Sequence, residues 1–144
     1  MTREEADKVE LAKRAAEAYK RRDLDTFFAE FATPDVEWWP AAMILHGSCY
    51  RGREGIEQFW AETAETFTEL QAVTEEFRDL GDRVLVLARF QGRGRGSGAP
   101  VDAPIAMLVD FRGGRIWRSR VYLDRAEALR GAGVSEQTPH TPAL

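Results

Sequence analysis

A chain of 144 residues that is 44% hydrophobic and 10% aromatic can close one hydrophobic core but hardly two, so a single domain is expected. No run of about 18 apolar residues marks a membrane span, and the opening MTREEADKVE has no apolar signal region, so no membrane association and a cytoplasmic location are expected. The net charge of −4 divides into 18 acidic and 10 basic residues over 1–80 and 6 and 10 over 81–144; the short GRGRGSG run at 92–98, without interleaved aromatics in an acidic chain, reads as a glycine-rich turn, and no nucleic acid partner is expected.

In chain order, EEADKVELAKRAAEAYKRR at 4–22 places Val9, Ala12, Ala16 and Tyr19 on one stripe, an amphipathic helix whose alanines suit close packing. A second short helix is expected from Asp23 or Asp25 through Leu24, Phe27, Phe28 and Phe31. Thr33, Pro34 and Asp35 then turn the chain into the strand VEWW. A third helix, framed by Gly52 and Gly55, is expected from Arg53 to about Thr68, with Ile56, Phe59, Trp60, Ala64 and Phe67 on one face. Beyond it the period changes to that of strands at 84–91, 104–111 and 115–124. Gly81-Asp82, the run Gly92 to Pro100 and Gly113-Gly114 supply the turns of an antiparallel meander. Asp124 and Glu127 have capping-box spacing before a last helix ended by Gly131 or Gly133. One domain over 1–131 and a frayed tail over 132–144 are expected.

Helices first and strands last is an α+β layout. The order of elements, together with AEFATPDVEW, YRGREGIEQFW, VLVLARFQGRGRGSG and YLDRAEAL, resembles the SnoaL-like branch of the nuclear transport factor 2-like superfamily, over roughly residues 8–131. The resemblance implies a curved antiparallel or mixed sheet wrapped around three helices, a cone of the cystatin-like α+β barrel type with an internal pocket. It also implies a homodimer through the outer sheet face, where Arg89, Arg118 and Arg120 are expected beside Leu85 and Leu87. The superfamily holds isomerases, polyketide cyclases, epoxide hydrolases, dehydratases and noncatalytic binding domains, so the fold does not fix the chemistry. Against the ketosteroid isomerases, Trp39 stands where the proton-shuttling aspartate is expected, Met107 where the oxyanion-hole acid is expected, and Ala15 or Ala16 where the first-helix tyrosine falls. No group of that mechanism is left.

The candidate site is therefore a largely apolar pocket for a small hydrophobic organic ligand. Trp39, Trp60, Met107, Val109, Phe111 and Trp117 are its expected wall. Glu37, with the strand parity of Trp39, is the first candidate for acid-base catalysis, since a carboxylate walled by tryptophan has its pKa raised; if Trp38 faces inward instead, Glu37 is solvated. Tyr50 is the expected hydroxyl donor, with rim packing as the alternative, and His46 is a third candidate in a loop where a surface role competes. Cys49, the single cysteine, reads as a small apolar residue. No metal and no organic cofactor are expected. Two readings follow: a cofactor-independent isomerase, cyclase, dehydratase or hydrolase, and a noncatalytic ligand-binding or dimerisation module.

Overall fold

Alanine spacing sets how the first helix docks. The structure is a computed structural model describing residues 3–40 and 49–131. In it, helix α1 (Arg3–Lys20) buries Ala12, Ala15 and Ala18, and these side chains let its backbone lie close to the sheet. The helix ends in a Schellman turn: Asp23 N–H donates to the Ala18 carbonyl at 2.9 Å and Arg22 N–H to the Tyr19 carbonyl at 3.0 Å. Arg22 takes the left-handed conformation usually given to glycine there, φ 61°, and its guanidinium lies 4.4 Å from the centre of the Trp60 ring.

The second helix differs from its expected form. Asp23 caps a single α-helical turn, α2 (Leu24–Thr26), by accepting from Thr26 N–H at 3.1 Å, and the chain then widens into a π-helical turn, Phe27–Phe31. Phe27 and Phe31, one turn apart, both reach the core. Its carbonyls are met from the far end of the chain: Arg115 donates to the oxygens of Phe28 at 3.3 Å, Ala29 at 3.1 Å and Ala32 at 3.4 Å.

Strand β1 (Ala32–Trp39) follows, then the two-residue β2 (Tyr50–Arg51) and helix α3 (Gly52–Thr66). Both glycines at the start of α3 are required by geometry. Gly52 has φ +66°, and a Cβ on Gly55 would stand 2.9 Å from the Tyr50 carbonyl carbon. Four strands complete the sheet: β3 (Phe67–Asp79), β4 (Arg83–Gly94), β5 (Pro100–Arg112) and β6 (Arg115–Tyr122). The strand order is β2-β1-β6-β5-β4-β3, antiparallel throughout except for the parallel pair β1 and β6. The expected meander is present, with β3 added to its front. The sheet stays open, with β2 and β3 as its edges, so the fold is an α+β cone rather than a closed barrel.

One face of the sheet, with Val84, Val86, Val109 and Ile116, packs on α1, the π-helical turn and Ile56 of α3. The other face carries Leu85, Leu87, Ala106, Leu108 and Tyr122, and here helix α4 (Arg125–Gly131) lays Ala128 and Leu129 over them. Asp124 caps α4 by accepting from Ala126 N–H at 2.7 Å. The sheet therefore wraps three helical elements and carries a fourth helix on its outside. The tail expected at 132–144 lies outside the described residues.

Candidate functional site

Val36 decides which tryptophan of β1 turns inward. It is buried in the interior cluster, and strand alternation then sends Trp38 to the same side and Glu37 and Trp39 to the other. The contacts agree: the Trp38 ring lies 5.8 Å from that of Tyr19 in α1 and 5.5 Å from that of Phe59 in α3, and it packs on Ala88, Ile105 and Val121. Glu37 instead meets Arg51 at 3.1 Å and accepts from Trp39 Nε1 at 3.0 Å, with Arg51 and Arg118 as its register neighbours. The expected general base and the expected Trp39 wall are thus on the outer side of the sheet.

Trp117 is displaced for a different reason. In the β5–β6 ladder Asp110 pairs with Arg118 and Phe111 with Ile116, so Trp117 is the extra residue of a bulge. It lies between two guanidiniums, Arg112 at 4.3 Å and Arg118 at 4.5 Å from its ring centre, both outer-face residues. Met107, Val109, Phe111 and Trp60 face the interior and pack against its buried cluster. What sequence reasoning missed is the aromatic box they adjoin. Tyr19 lies 5.3 Å from Trp60 and 6.0 Å from Phe27, and Trp60 Nε1 donates to its hydroxyl oxygen at 3.0 Å. Burial pushes the Tyr19 hydroxyl up to about 12, with the Trp60 hydrogen bond and Arg22 opposing, so it stays protonated at neutral pH. The signal was a tyrosine on an otherwise alanine-rich stripe, and Val36 two positions before Trp38.

Tyr50 takes the rim. Its ring lies 5.4 Å from that of Phe59, and its hydroxyl donates to the Glu62 carboxylate rather than standing free for a ligand. That bond holds the Tyr50 hydroxyl up at about 12 and lowers Glu62, which also accepts from Gln58 at 2.8 Å. These side chains, with Cys49, Arg51, Glu54 and Gly55, line an open groove of about 380 Å³. Burial, then the Glu37 charge, pushes the Cys49 thiol up, which opposes a thiolate role. His46 lies outside the described residues.

Asp110 is the buried charged residue among the described residues, and it faces outward, beneath Arg83 at 3.0 Å, Arg118 at 2.8 Å and Arg120 at 3.3 Å. Three guanidiniums around one carboxylate offset its desolvation and tie β4, β5 and β6 together. Among the described residues there is no group of three His, Cys, Asp or Glu placed to hold a metal ion, and no helix long and apolar enough to cross a membrane.

Comparison with known proteins agrees with this architecture. The model of the SnoaL-like domain matches residues 12–119. An NTF2-like protein of unknown function from Burkholderia pseudomallei is 24% identical, covering 86% of this chain and 95% of its own, with a TM-score of 0.68. A protein described as a SnoaL-like polyketide cyclase, from a Jannaschia species, is 23% identical, covering 96% of this chain and 98% of its own, with a TM-score of 0.69. TerC, co-crystallised with polyporic acid, is 21% identical, covering 86% of this chain and 96% of its own, at a TM-score of 0.68. At these identities the likeness is one of fold. No curated protein matches the chain. The SnoaL-like domain model spans three-quarters of the chain, and the chain belongs to the SnoaL-like domain family.

Proposed function

We propose that the protein binds a small hydrophobic, flat molecule against the aromatic box of Tyr19, Trp38, Phe59 and Trp60, and that it does so without acid-base turnover. One observation carries this reading: the carboxylates Asp110 and Glu37 lie on the outer face, each against arginine, and the charge that touches the box is a cation, Arg22 on the Trp60 ring. Proton abstraction needs a base within hydrogen-bond reach of the substrate, and the box is made of phenol, indole and phenyl side chains with a guanidinium, Arg22, on Trp60, none of which accepts a proton at neutral pH. TerC, similar in fold, was co-crystallised with the small organic compound polyporic acid. We further propose a homodimer through the part of the outer face that α4 leaves uncovered.

The test is a titration with the neutral fluorophore N-phenylnaphthylamine. Saturable binding with quenching of tryptophan fluorescence is expected. Glu37→Gln is expected to leave it unchanged, and Trp38→Ala to abolish it or cost about 3–5 kcal/mol of stability, the penalty of deleting a packed aromatic. Turnover of an enone, epoxide or polyketide-like ketone that Glu37→Gln reduces by about a hundredfold would overturn the noncatalytic reading.

A further inference from the structure

The open edge of the sheet leaves a slot beside the first helix. Helix α1 packs inward with Ala12, Ala15 and Ala18, and on the flank next to that stripe Lys13, Ala16, Glu17 and Lys20 follow one another at helical spacing. Across from them runs β3, with Ala72, Val73 and Phe77, and between the two lies a cavity of about 330 Å³, at the small end of the range for ligand pockets. β3 is an edge of the sheet, so no further strand covers the mouth. Lys13, Glu17 and Lys20 are exposed at the rim, and Ala16, Ala72 and Phe77 are half-buried below them. The slot is separate from the aromatic box, whose four side chains do not line it.

Floor and rim differ in chemistry. The floor is a methyl-and-phenyl surface that favours an apolar body. The rim sets two ammoniums against one carboxylate, and among the described residues no salt bridge engages Lys13, Glu17 or Lys20, whereas Arg14 on the same helix pairs with Glu10. Lys13 Nζ lies 5.8 Å from the centre of the Phe77 ring, so one ammonium already stands over the floor. Lys20 is seven positions on, about 10 Å along the axis at 1.5 Å per residue, and both long stems reach a group held between them. A cation there meets an excess of positive charge. A bilayer is the wrong shape, because the floor is recessed and does not protrude.

We propose that this slot is a second binding site, for a single dissolved amphiphilic anion: its apolar body lies on Ala16, Ala72 and Phe77, and its carboxylate or sulfonate head lies at Lys13 and Lys20. Exposed ion pairs contribute little, so the floor supplies most of the affinity and the lysines select the sign of the charge. The site stands independently of the box.

The probe is 8-anilinonaphthalene-1-sulfonate, which is N-phenylnaphthylamine with a sulfonate added. In ¹⁵N-labelled wild-type protein it is expected to shift the amide resonances of Ala16, Ala72 and Phe77, and to do so equally when N-phenylnaphthylamine is present at saturation. Lys13→Met combined with Lys20→Met, which removes both charges and keeps the apolar stems, is expected to weaken it about tenfold, while Lys13→Arg with Lys20→Arg retains it. Ala16→Phe, which fills the slot, is expected to abolish it. Decanoate is expected to displace the probe and decylamine, of equal chain length and opposite charge, to leave it bound. Unchanged affinity in the double methionine variant, or displacement by decylamine as readily as by decanoate, overturns the proposal. Wild-type amide shifts confined to other parts of the chain overturn it as well, and that readout does not depend on any variant folding. Failure of N-phenylnaphthylamine alone to bind removes the box reading and leaves the slot standing.

Discussion

At the residue scale, Tyr19 shows how burial turns an ordinary side chain into a pH-sensitive one. Its hydroxyl is raised from 10.0 to about 12 mainly by desolvation. The unfolded chain therefore releases this proton first, and the stability Tyr19 contributes is fully present below pH 10 and lost as pH rises through about 12. Denaturation midpoints measured from pH 9 to 12 are expected to fall with a slope of at most about 1.4 kcal/mol per pH unit from this group, and Tyr19→Phe to show a shallower fall. A steeper or unchanged slope in the variant would count against a buried phenol. Part of the pH dependence remains in Tyr19→Phe, because Tyr50 is raised as well, by its bond to Glu62. Single residues also explain where the sequence misled. Two adjacent tryptophans give alternation no preferred face, so the alignment that set Trp39 inward competed with Val36, whose burial places Trp38 there. Trp117 was unreadable for another reason: a bulge of one residue reverses strand parity without a local signal.

At the element scale, the long helices and the last three strands were legible because their apolar spacing is strong. Strand β3 was not. Its sequence, FTELQAVTEEFRD, places Glu69, Glu75 and Glu76 on an exposed edge, where charges and irregularities discourage pairing with other chains, and it carries bulges and a left-handed Glu69 at φ 57°. The property that protects the edge hides its alternation. The π-helical turn was missed similarly, because it depends on Arg115, a residue remote in sequence whose donors meet the carbonyls that the turn presents. Arg115→Ala is expected to destabilise the fold by about 1–3 kcal/mol, the cost of leaving partly buried carbonyls unpaired. Chemical denaturation checks this, with Arg115→Lys, which lacks the guanidinium fork, recovering only part of the loss.

At the scale of the whole molecule, the outer sheet face divides in two. Leu85 and Leu87, expected to make that face too apolar to be wetted alone, are 0% and 5% exposed because α4 covers them within the same chain. The case for self-association moves to the β1 and β6 half, which bears Trp39 and Trp117, with Leu123, 65% exposed, beyond the end of β6. Light scattering at micromolar concentration is expected to return close to twice the chain mass of 16.3 kDa, with Trp117→Glu shifting it toward a single chain; a wild-type mass near 16.3 kDa would remove the dimer.

The parallel pairing of β1 with β6 also has a meaning in time. During synthesis β1 emerges early, and its neighbour on one side, β2, is two residues long; its other partner is the last strand of the sheet. Phe27, Phe31, Val36 and Trp38 are thus made long before Ile116 and Val121 arrive to shelter them. The nascent chain holds its most adhesive surface open over most of its translation, so the sheet closes late, as one non-local event. That interval, rather than the finished fold, is when this protein most needs a chaperone or a low concentration of its own kind.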